Sequence, residues 1–333
     1  MEKPYFAVQW HITDICDQRC RHCYIYASNS LCVRSMPYDE MLGVLNNIEE
    51  FCEKSGRTPY IYLTGGDPVL HPDFRRLLTL LARRKIRFCI MGNPYHLTEE
   101  SCVFMRGCGC VKYQLSLDGL EKTHDALRRP GSFRTTLEKI PVIRNAGMWC
   151  AVMTTVSGTN MPEIPRVDIY AVGRYCPTSR EKAFASGIHI PPHTYRTFLE
   201  ACWERYCAHR NGHTVFQLKD HLWTLFLYEK GLFRPPAGDC ITDGCNCGRN
   251  HVTILPNGDL YACRRMESKI GNLSDMSLYE AWTSEAMNGY RQYSAFEKCG
   301  RCELKNVCRG CPAVTFGYTG SMYGADPQCW KEV

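Results

Sequence analysis

Nine cysteines stand between Cys240 and Cys329, in a stretch with little helical periodicity apart from Leu278–Met287. A segment this poor in apolar periodicity cannot be held by a large core and needs another staple, for which metal clusters are the obvious choice. Three more cysteines sit near the start, in Cys16-Asp-Gln-Arg-Cys20-Arg-His-Cys23, on a loop after the short apolar run Phe6–Trp10. Three thiolates on one tight loop can hold three irons of a [4Fe–4S] cube and leave the fourth open. A three-ligand zinc site fits the same spacing, and in either case an open metal position is where a small molecule can bind.

The opening residues carry no apolar signal core, and no run approaches the roughly 18 apolar residues of a membrane span. The 22 cysteines are therefore expected in a reducing cytosol, where ligation and not disulfide formation is the default use. With 333 residues, 44% hydrophobic and 22% charged, the chain reads as globular, with one large domain or two ordinary ones.

From residue 5 to about 175, short strands alternate with amphipathic helices. Pro37 precedes a helix carrying Met41, Leu45 and Ile48, which Gly56 ends. Strand Tyr60–Leu63 runs into Thr64-Gly-Gly-Asp-Pro68. Phe74, Leu77, Leu78 and Leu81 form a helix face before strand Arg87–Met91, and Thr98 is placed to cap the next helix. Strand Val111–Leu117, helix Phe133–Asn145 and strand Trp149–Val156 follow. Such alternation implies a parallel sheet or barrel with its chemistry at the carboxyl ends of the strands. The Cys16 loop, Gly65-Gly66 and Ser116-Leu-Asp118 all lie at such ends.

Before the expected strand Val167–Val172, Pro162 and Pro165 disfavour a crossover helix in Ser157–Arg166; a loop has replaced the helix or residues have been lost. Residues 193–230 read as helical, with Tyr195, Phe198, Leu199, Tyr206, Leu222, Leu225 and Phe226 as core. Arg234-Pro-Pro-Ala-Gly238 marks a boundary. The expected domains are 1–176, 177–238 and 239–333.

Together these motifs resemble the radical S-adenosylmethionine (SAM) enzymes that carry a C-terminal SPASM domain. Cys16, Cys20 and Cys23 match the CxxxCxΦC signature, with His22 at Φ. Gly65-Gly66-Asp67 stands for the family's GGE, and Ser116-Leu-Asp118-Gly matches its ribose-side strand. Cys247-x10-Gly258-x4-Cys263, Cys299-x2-Cys302-x5-Cys308 and a closing Cys329 match the SPASM pattern; Cys311 follows Cys308 one residue early. The resemblance implies an α/β fold: a partial (β/α)6 TIM-like barrel joined to a Cys-rich, cluster-stapled SPASM domain. It also implies SAM and three [4Fe–4S] clusters. One auxiliary cluster would take Cys299, Cys302, Cys308 and Cys329. The other would take Cys263, Cys311 and two of Cys240, Cys245 and Cys247, with the spacing leaving that pair open.

By the same resemblance the glycines admit the SAM amine, Ser116 and Asp118 reach the same ligand, and Arg128 and Arg174 are candidates for its carboxylate. A plain turn at Gly65-Gly66 and a solvated Arg128 or Arg174 are the alternatives. An external one-electron reductant of flavodoxin or ferredoxin type reduces the first cluster, and a 5′-deoxyadenosyl radical then abstracts hydrogen. The net charge of +6 counts every cysteine as neutral. With roughly eleven thiolates on three clusters it falls to about +1, which removes the argument for a nucleic acid partner.

Relatives of this kind modify peptides or proteins, so the expected activity is that of a maturase of ribosomally made peptides, installing a C–S or C–C cross-link or a related oxidation. With little chain before Cys16, leader recognition is expected from the barrel, the 177–238 segment or a separate leader-binding protein. A formylglycine-forming, sulfatase-maturating enzyme is the alternative; that family has Asp after the cysteine matching Cys263, where this chain has Arg264. A non-enzymatic iron–sulfur electron carrier is the alternative of another class, and it would not need the open three-thiol site.

Overall fold

The computed structural model describes residues 3–26, 32–166, 171–209 and 215–333. They form two compact units: Met1–Ser116, Asp125–Ala151 and Cys247–Arg291 make the first, and Leu117–His124, Val152–Asn246 and Gln292–Val333 the second. The Cys-rich C-terminal third is therefore shared between both units.

The first unit is built on parallel strands β1 (Tyr5–Thr13), β2 (Thr58–Gly65), β3 (Phe88–Met91) and β4 (Cys110–Ser116), paired in sequence order. Strand alternation divides the side chains between two faces. On the outer face Phe6, Val8, Trp10, Ile12, Ile61, Leu63, Tyr113 and Leu115 are fully buried. Against it pack α1 (Tyr38–Lys54), α2 (Phe74–Arg83), α3 (Glu99–Gly107) and α5 (Ser132–Asn145), each with an apolar stripe or buried anchors, while α4 (Glu121–Leu127) runs from the second unit into this one. Helix α1 starts after Pro37, with Asp39 and Glu40 in its first turn and Lys54 in its last, as the helix dipole favours. Thr98 caps α3 in a reciprocal box with Ser101.

The other edge of this sheet was not visible in the sequence. Strand β7 (His251–Ile254) lies parallel to β1 and continues antiparallel into β8 (Asp259–Tyr261) and β9 (Lys269–Asn272). The part of the Cys-rich segment that follows Cys247 is thus held by strand pairing. Trp282, on α9 (Leu278–Thr283), closes the outer face with its ring 5.1 Å from Phe6, and α10 (Glu285–Gly289) follows.

Strand β5 (Trp149–Val156) carries the chain into the second unit, where it pairs in parallel with β6 (Val172–Arg174). Between them runs a loop ending in a single 3₁₀ turn, Ile164–Arg166, as the two prolines require. The first residues of the expected strand Val167–Val172 lie outside the described residues. Strands β1 to β6 are those of a partial (β/α)6 barrel whose sheet does not close, the α/β class expected. The second unit adds α6 (Arg180–Ala183), α7 (Pro192–His209), α8 (Leu222–Glu229) and α11 (Pro312–Thr319). Its core joins Tyr195, Phe198, Leu199, Leu222, Leu225 and Phe226 to Val156, Leu304 and Val307, so these are packing residues, whereas Tyr206, expected in the core, lies outside it, half-buried and stacked on Trp203. Among the described residues no helix is long and apolar enough to cross a membrane.

Candidate active site

The Cys16 loop leaves the carboxyl end of β1 and is tied down from several sides. Gly66 N donates to Thr13 O and Asp67 N to Ile15 O, each at 2.7 Å. A Cβ on Gly65 would collide with Thr13 O, and one on Gly66 with the carbonyl oxygens of Ile15 and Asp14. The missing side chains therefore first serve to dock the end of β2 against the strand that launches the thiol loop. Sequence reasoning gave the glycines to the ligand and missed this contact. Asp67, the departure from Glu, is fully buried and caps the turn that follows it through Val69 N. Burial raises its carboxyl to about 7, with the Asp17 charge adding to the effect.

The three thiols are partly exposed, and donors are aimed at two of them. Asn93 Nδ2 and Gln18 N approach Cys16 Sγ at 3.3 and 3.4 Å, and Arg128 Nη1 approaches Cys20 Sγ at 3.7 Å. Arg128 Nη2 also lies 3.4 Å from His22 Nε2, so two residues that sequence placed at the cofactor do meet. Gln18, itself buried, is fixed by Tyr95 and Ser132 at 3.1 Å each. Asn93 belongs to no recognisable motif, and Gln18 stands at a variable position of the Cys16–Cys23 motif and acts through its backbone N–H, which is why sequence missed them. Burial raises the Cys16 thiol, with the Gln18 and Asn93 donors opposing the rise.

The inner face of the sheet contrasts with the outer one. Gln9, Tyr60, Tyr62, Lys112, Gln114 and Ser116 line it at intermediate exposure. In cross-strand register, Thr253, Gln9, Tyr62, Cys89 and Lys112 form one row. The Lys112 ammonium lies 5.4 Å from the Tyr62 ring, and Tyr60 Oη is 2.8 Å from Cys89 Sγ. Cys89 is thus a small buried residue of this face.

In the second unit Asp118 is fully buried. Its Oδ1 accepts from Thr155 N at 2.9 Å, its N donates to His124 Nδ1 at 3.0 Å, and its carbonyl accepts from Asn160 Nδ2 at 2.9 Å. Asn160 also donates to Thr155 O, so the loop that replaced a crossover helix supplies the clamp on this strand end.

Arg174, a candidate for the SAM carboxylate, is placed otherwise. Its Nε donates to Asp220 at 2.9 Å, Nη1 to Asp326 at 2.6 Å and Gln328 at 2.9 Å, and Nη2 to Asp326 at 2.8 Å, all buried. Four of its five N–H groups are thus engaged by buried acceptors, which commits it to this network. Asp326 passes the constraint on: its Oδ2 accepts from Cys311 N at 2.8 Å, and its carbonyl accepts from Cys329 N at 3.0 Å.

Cys299, Cys302, Cys308 and Cys329 are gathered in this unit. Burial pushes the Cys299 thiol up to about 12, and charge on Cys329 and Cys302 would push it in the same direction. Burial likewise raises Cys308, with Cys299 and Cys329 as neighbours that add to it. Cys299, Cys308 and Cys329, all raised first by burial, form with Cys302 a site whose thiolates need a cationic core. Of the second expected set, Cys247 and Cys263 belong to the first unit, and Cys240, Cys245 and Cys311 to the second. Ser268 Oγ clamps the Cys263 turn, accepting from Cys263 N at 2.9 Å and donating to Cys263 O at 2.7 Å.

A three-thiol loop with an open side, at the end of a parallel strand and above a polar inner face, fits an iron–sulfur cluster with a free iron. A four-thiol set, with two members buried and two half-buried, fits a closed cluster. Comparison with known proteins agrees: the radical SAM superfamily profile matches residues 10–168, and that of SPASM, an iron–sulfur cluster-binding domain, matches residues 245–312. The chain is a radical SAM enzyme with a C-terminal SPASM domain, and it uses SAM and iron–sulfur clusters.

Among its relatives is the AdoMet-dependent heme synthase of Oleidesulfovibrio alaskensis, 25% identical over 341 residues that cover 97% of this chain and 86% of that protein. The mycofactocin maturase MftC of Mycolicibacterium smegmatis is 25% identical over 337 residues, covering 96% and 81%. The solved structure of native anSMEcpe with bound AdoMet shares the fold, at a TM-score of 0.76 and 18% identity over 98% of this chain and 94% of that one.

Proposed function

We propose that this enzyme binds three [4Fe–4S] clusters and modifies a peptide or protein in the manner of a maturase of ribosomally made peptides, forming a C–S or C–C cross-link or a related oxidation. The observation that carries the reading is the half-exposed inner face of Gln9, Tyr60, Tyr62, Lys112 and Gln114, in the unit that holds the three-thiol loop. Tyrosine rings interleaved with amide and amine donors suit a peptide, which needs apolar contact and hydrogen bonds together. The relationship to a mycofactocin maturase supports the same class. When bound, SAM and the clusters supply one-electron reduction and a 5′-deoxyadenosyl radical that takes hydrogen from the substrate.

The chain's own residues hold and orient these groups. Cys16, Cys20 and Cys23 take the first cluster, and each thiol gives up its proton on ligation. Arg128 steadies Cys20 and His22 and sets a positive charge beside the thiolates. The backbone of Gly65-Gly66-Asp67, with Ser116 and Asp118, receives SAM. Cys299, Cys302, Cys308 and Cys329 take one auxiliary cluster. Cys263, Cys311 and two of Cys240, Cys245 and Cys247 take the other. A flavodoxin- or ferredoxin-type protein delivers the electron, and a separate leader-binding protein presents the peptide.

The test is anaerobic. The reconstituted enzyme is given dithionite and SAM and assayed for 5′-deoxyadenosine, and candidate peptides co-expressed with it are weighed for the loss of two hydrogens. Cofactor cleavage with every peptide unaltered would remove the peptide reading.

A second reading has its own support. The heme synthase relative aligns with 97% of this chain, and a basic residue, Arg264, stands where a sulfatase-maturating enzyme has its acid. A tetrapyrrole carboxylate would then be the substrate. A tetracarboxylic iron porphyrin in the same assay, analysed by mass, separates the two.

A further inference from the structure

Residue Arg264 directly follows Cys263, and among the described residues no hydrogen bond or ion pair engages its side chain. Its Nε is buried without a partner. The guanidinium is bracketed by two rings, 5.2 Å from the centroid of Tyr24 and 6.0 Å from that of Tyr261. Tyr24 follows Cys23, and its hydroxyl lies 3.5 Å from Gln9 Nε2 on the inner face. Gln9 Nε2 in turn lies 3.1 Å from His11 Nε2. Fully buried His11 has an unpartnered Nδ1, and burial, then Arg264, then His251 drive its pKa well below the ordinary value, so the imidazole is neutral. Asp14 also feels Arg264, but its carboxyl is raised by burial and forms no ion pair with the guanidinium.

Arg264 as a whole is half-exposed, but its dry Nε–H is costly unless an acceptor arrives, because that group loses its water and gains nothing in return. Its two aromatic neighbours hold it in place without satisfying it. The His11 Nδ1 and the Arg264 Nε are both unpaired polar atoms on the side of the unit that carries the thiol loop. We propose that Arg264 is the specificity-determining residue of this enzyme and receives a carboxylate of the substrate, charge-assisted, above the inner ends of β1 and β7. The assignment rests on the reading that the inner face holds the substrate, and it adds the substrate's charge. Arginine is suited to it because its planar fork matches a carboxylate.

The test uses the cluster-loaded enzyme with SAM and two pairs of probes. One pair is a tetracarboxylic porphyrin and its tetramethyl ester, followed by the Soret band. The other is a pool of random hexapeptides with free or amidated C termini, recovered on immobilised enzyme and counted by mass spectrometry. Wild type should prefer the free acid in one pair by at least about tenfold, and the pair in which it does so identifies the source of the carboxylate. In Arg264→Gln the preference should vanish, with the ester or amide bound as before; Arg264→Lys should keep part of it. Iron content and circular dichroism check that both variants are folded and loaded. A preference that survives in Arg264→Gln, or its absence from wild type in both pairs, overturns the proposal. Formation of 5′-deoxyadenosine is measured alongside: its loss in wild type would sink the enzyme reading, whereas its presence without an acid preference sinks this inference alone.

Discussion

The thiols of the two units differ in what surrounds the sulfur. Cys16, Cys20 and Cys23 are partly exposed and met by donors from Asn93, Gln18 and Arg128. Cys299 and Cys308 are buried and Cys302 and Cys329 half-buried, and this set is met by backbone donors, Leu304 N at 3.4 Å from Cys302 Sγ and Gly310 N at 3.5 Å from Cys308 Sγ. Donors to sulfur stabilise thiolate and tune a metal from outside in both sets, but three thiols leave one iron of a cube open, whereas four thiols leave none. The first arrangement suits an iron that exchanges its partner during a reaction; the second suits one that exchanges only electrons. The contrast also teaches where to look for substrate: beside the open set, where the inner face is polar.

The comparison breaks most sharply on removal of the open set. In the Cys16/Cys20/Cys23→Ala enzyme, 5′-deoxyadenosine formation should be abolished, while roughly eight irons of the twelve that the proposed three clusters require remain. Chromatography and an iron assay on the same sample measure both. Loss of nearly all iron would mean that the sets do not fill independently.

Next in size is the network behind the closed set. Arg174→Met leaves Asp220 and Asp326 buried without their cation, which costs about 3–5 kcal/mol of unfolding free energy. Because Asp326 also fixes Cys311 N and the turn into Cys329, the variant should bind fewer irons, by up to about four per chain, while still cleaving SAM. Urea unfolding and iron content report the two effects separately. A full iron complement in a destabilised protein would reduce Arg174 to a packing residue.

Arg174 also marks the limit of what the sequence could tell. The alternation of strands and helices, the Thr98 cap and the apolar stripes of α1 and α2 were legible because each depends on residues close together in the chain. So were the cysteine motifs, whose spacing is itself the signal. The strands β7–β9 were not, because each is three or four residues long and their edge is set by pairing with β1, some 240 positions away. The partners of Arg174 lie at positions 220, 326 and 328, and nothing local distinguishes that arginine from a ligand-binding one. The Gly65-Gly66 motif was found, but its close contact with Thr13–Ile15 needed the fold.

The smallest effect sharpens the comparison from the side of the open set. Asp67, buried beside the Cys16 loop, is raised to about 7 by desolvation first and the Asp17 charge second among the raising causes. An unfolded aspartate titrates near about 3.9. Between those values the folded protein holds a proton that the unfolded chain has lost, so this residue makes stability fall as pH rises from about 4 to about 7, and the loss is complete above that. Asp67→Asn removes the charge but keeps an oxygen able to accept from Val69 N, now 3.4 Å away. The variant's melting midpoint should equal that of wild type at pH 4 and exceed it by several degrees at pH 8, with the difference growing through the interval. A difference that is flat with pH would mean that Asp67 is ionised throughout, with an unseen partner at its Oδ2, which is buried and unpaired here. Bound SAM should not abolish the difference if the motif holds the cofactor by its backbone, since the carboxylate then belongs to the fold of the loop and not to the ligand.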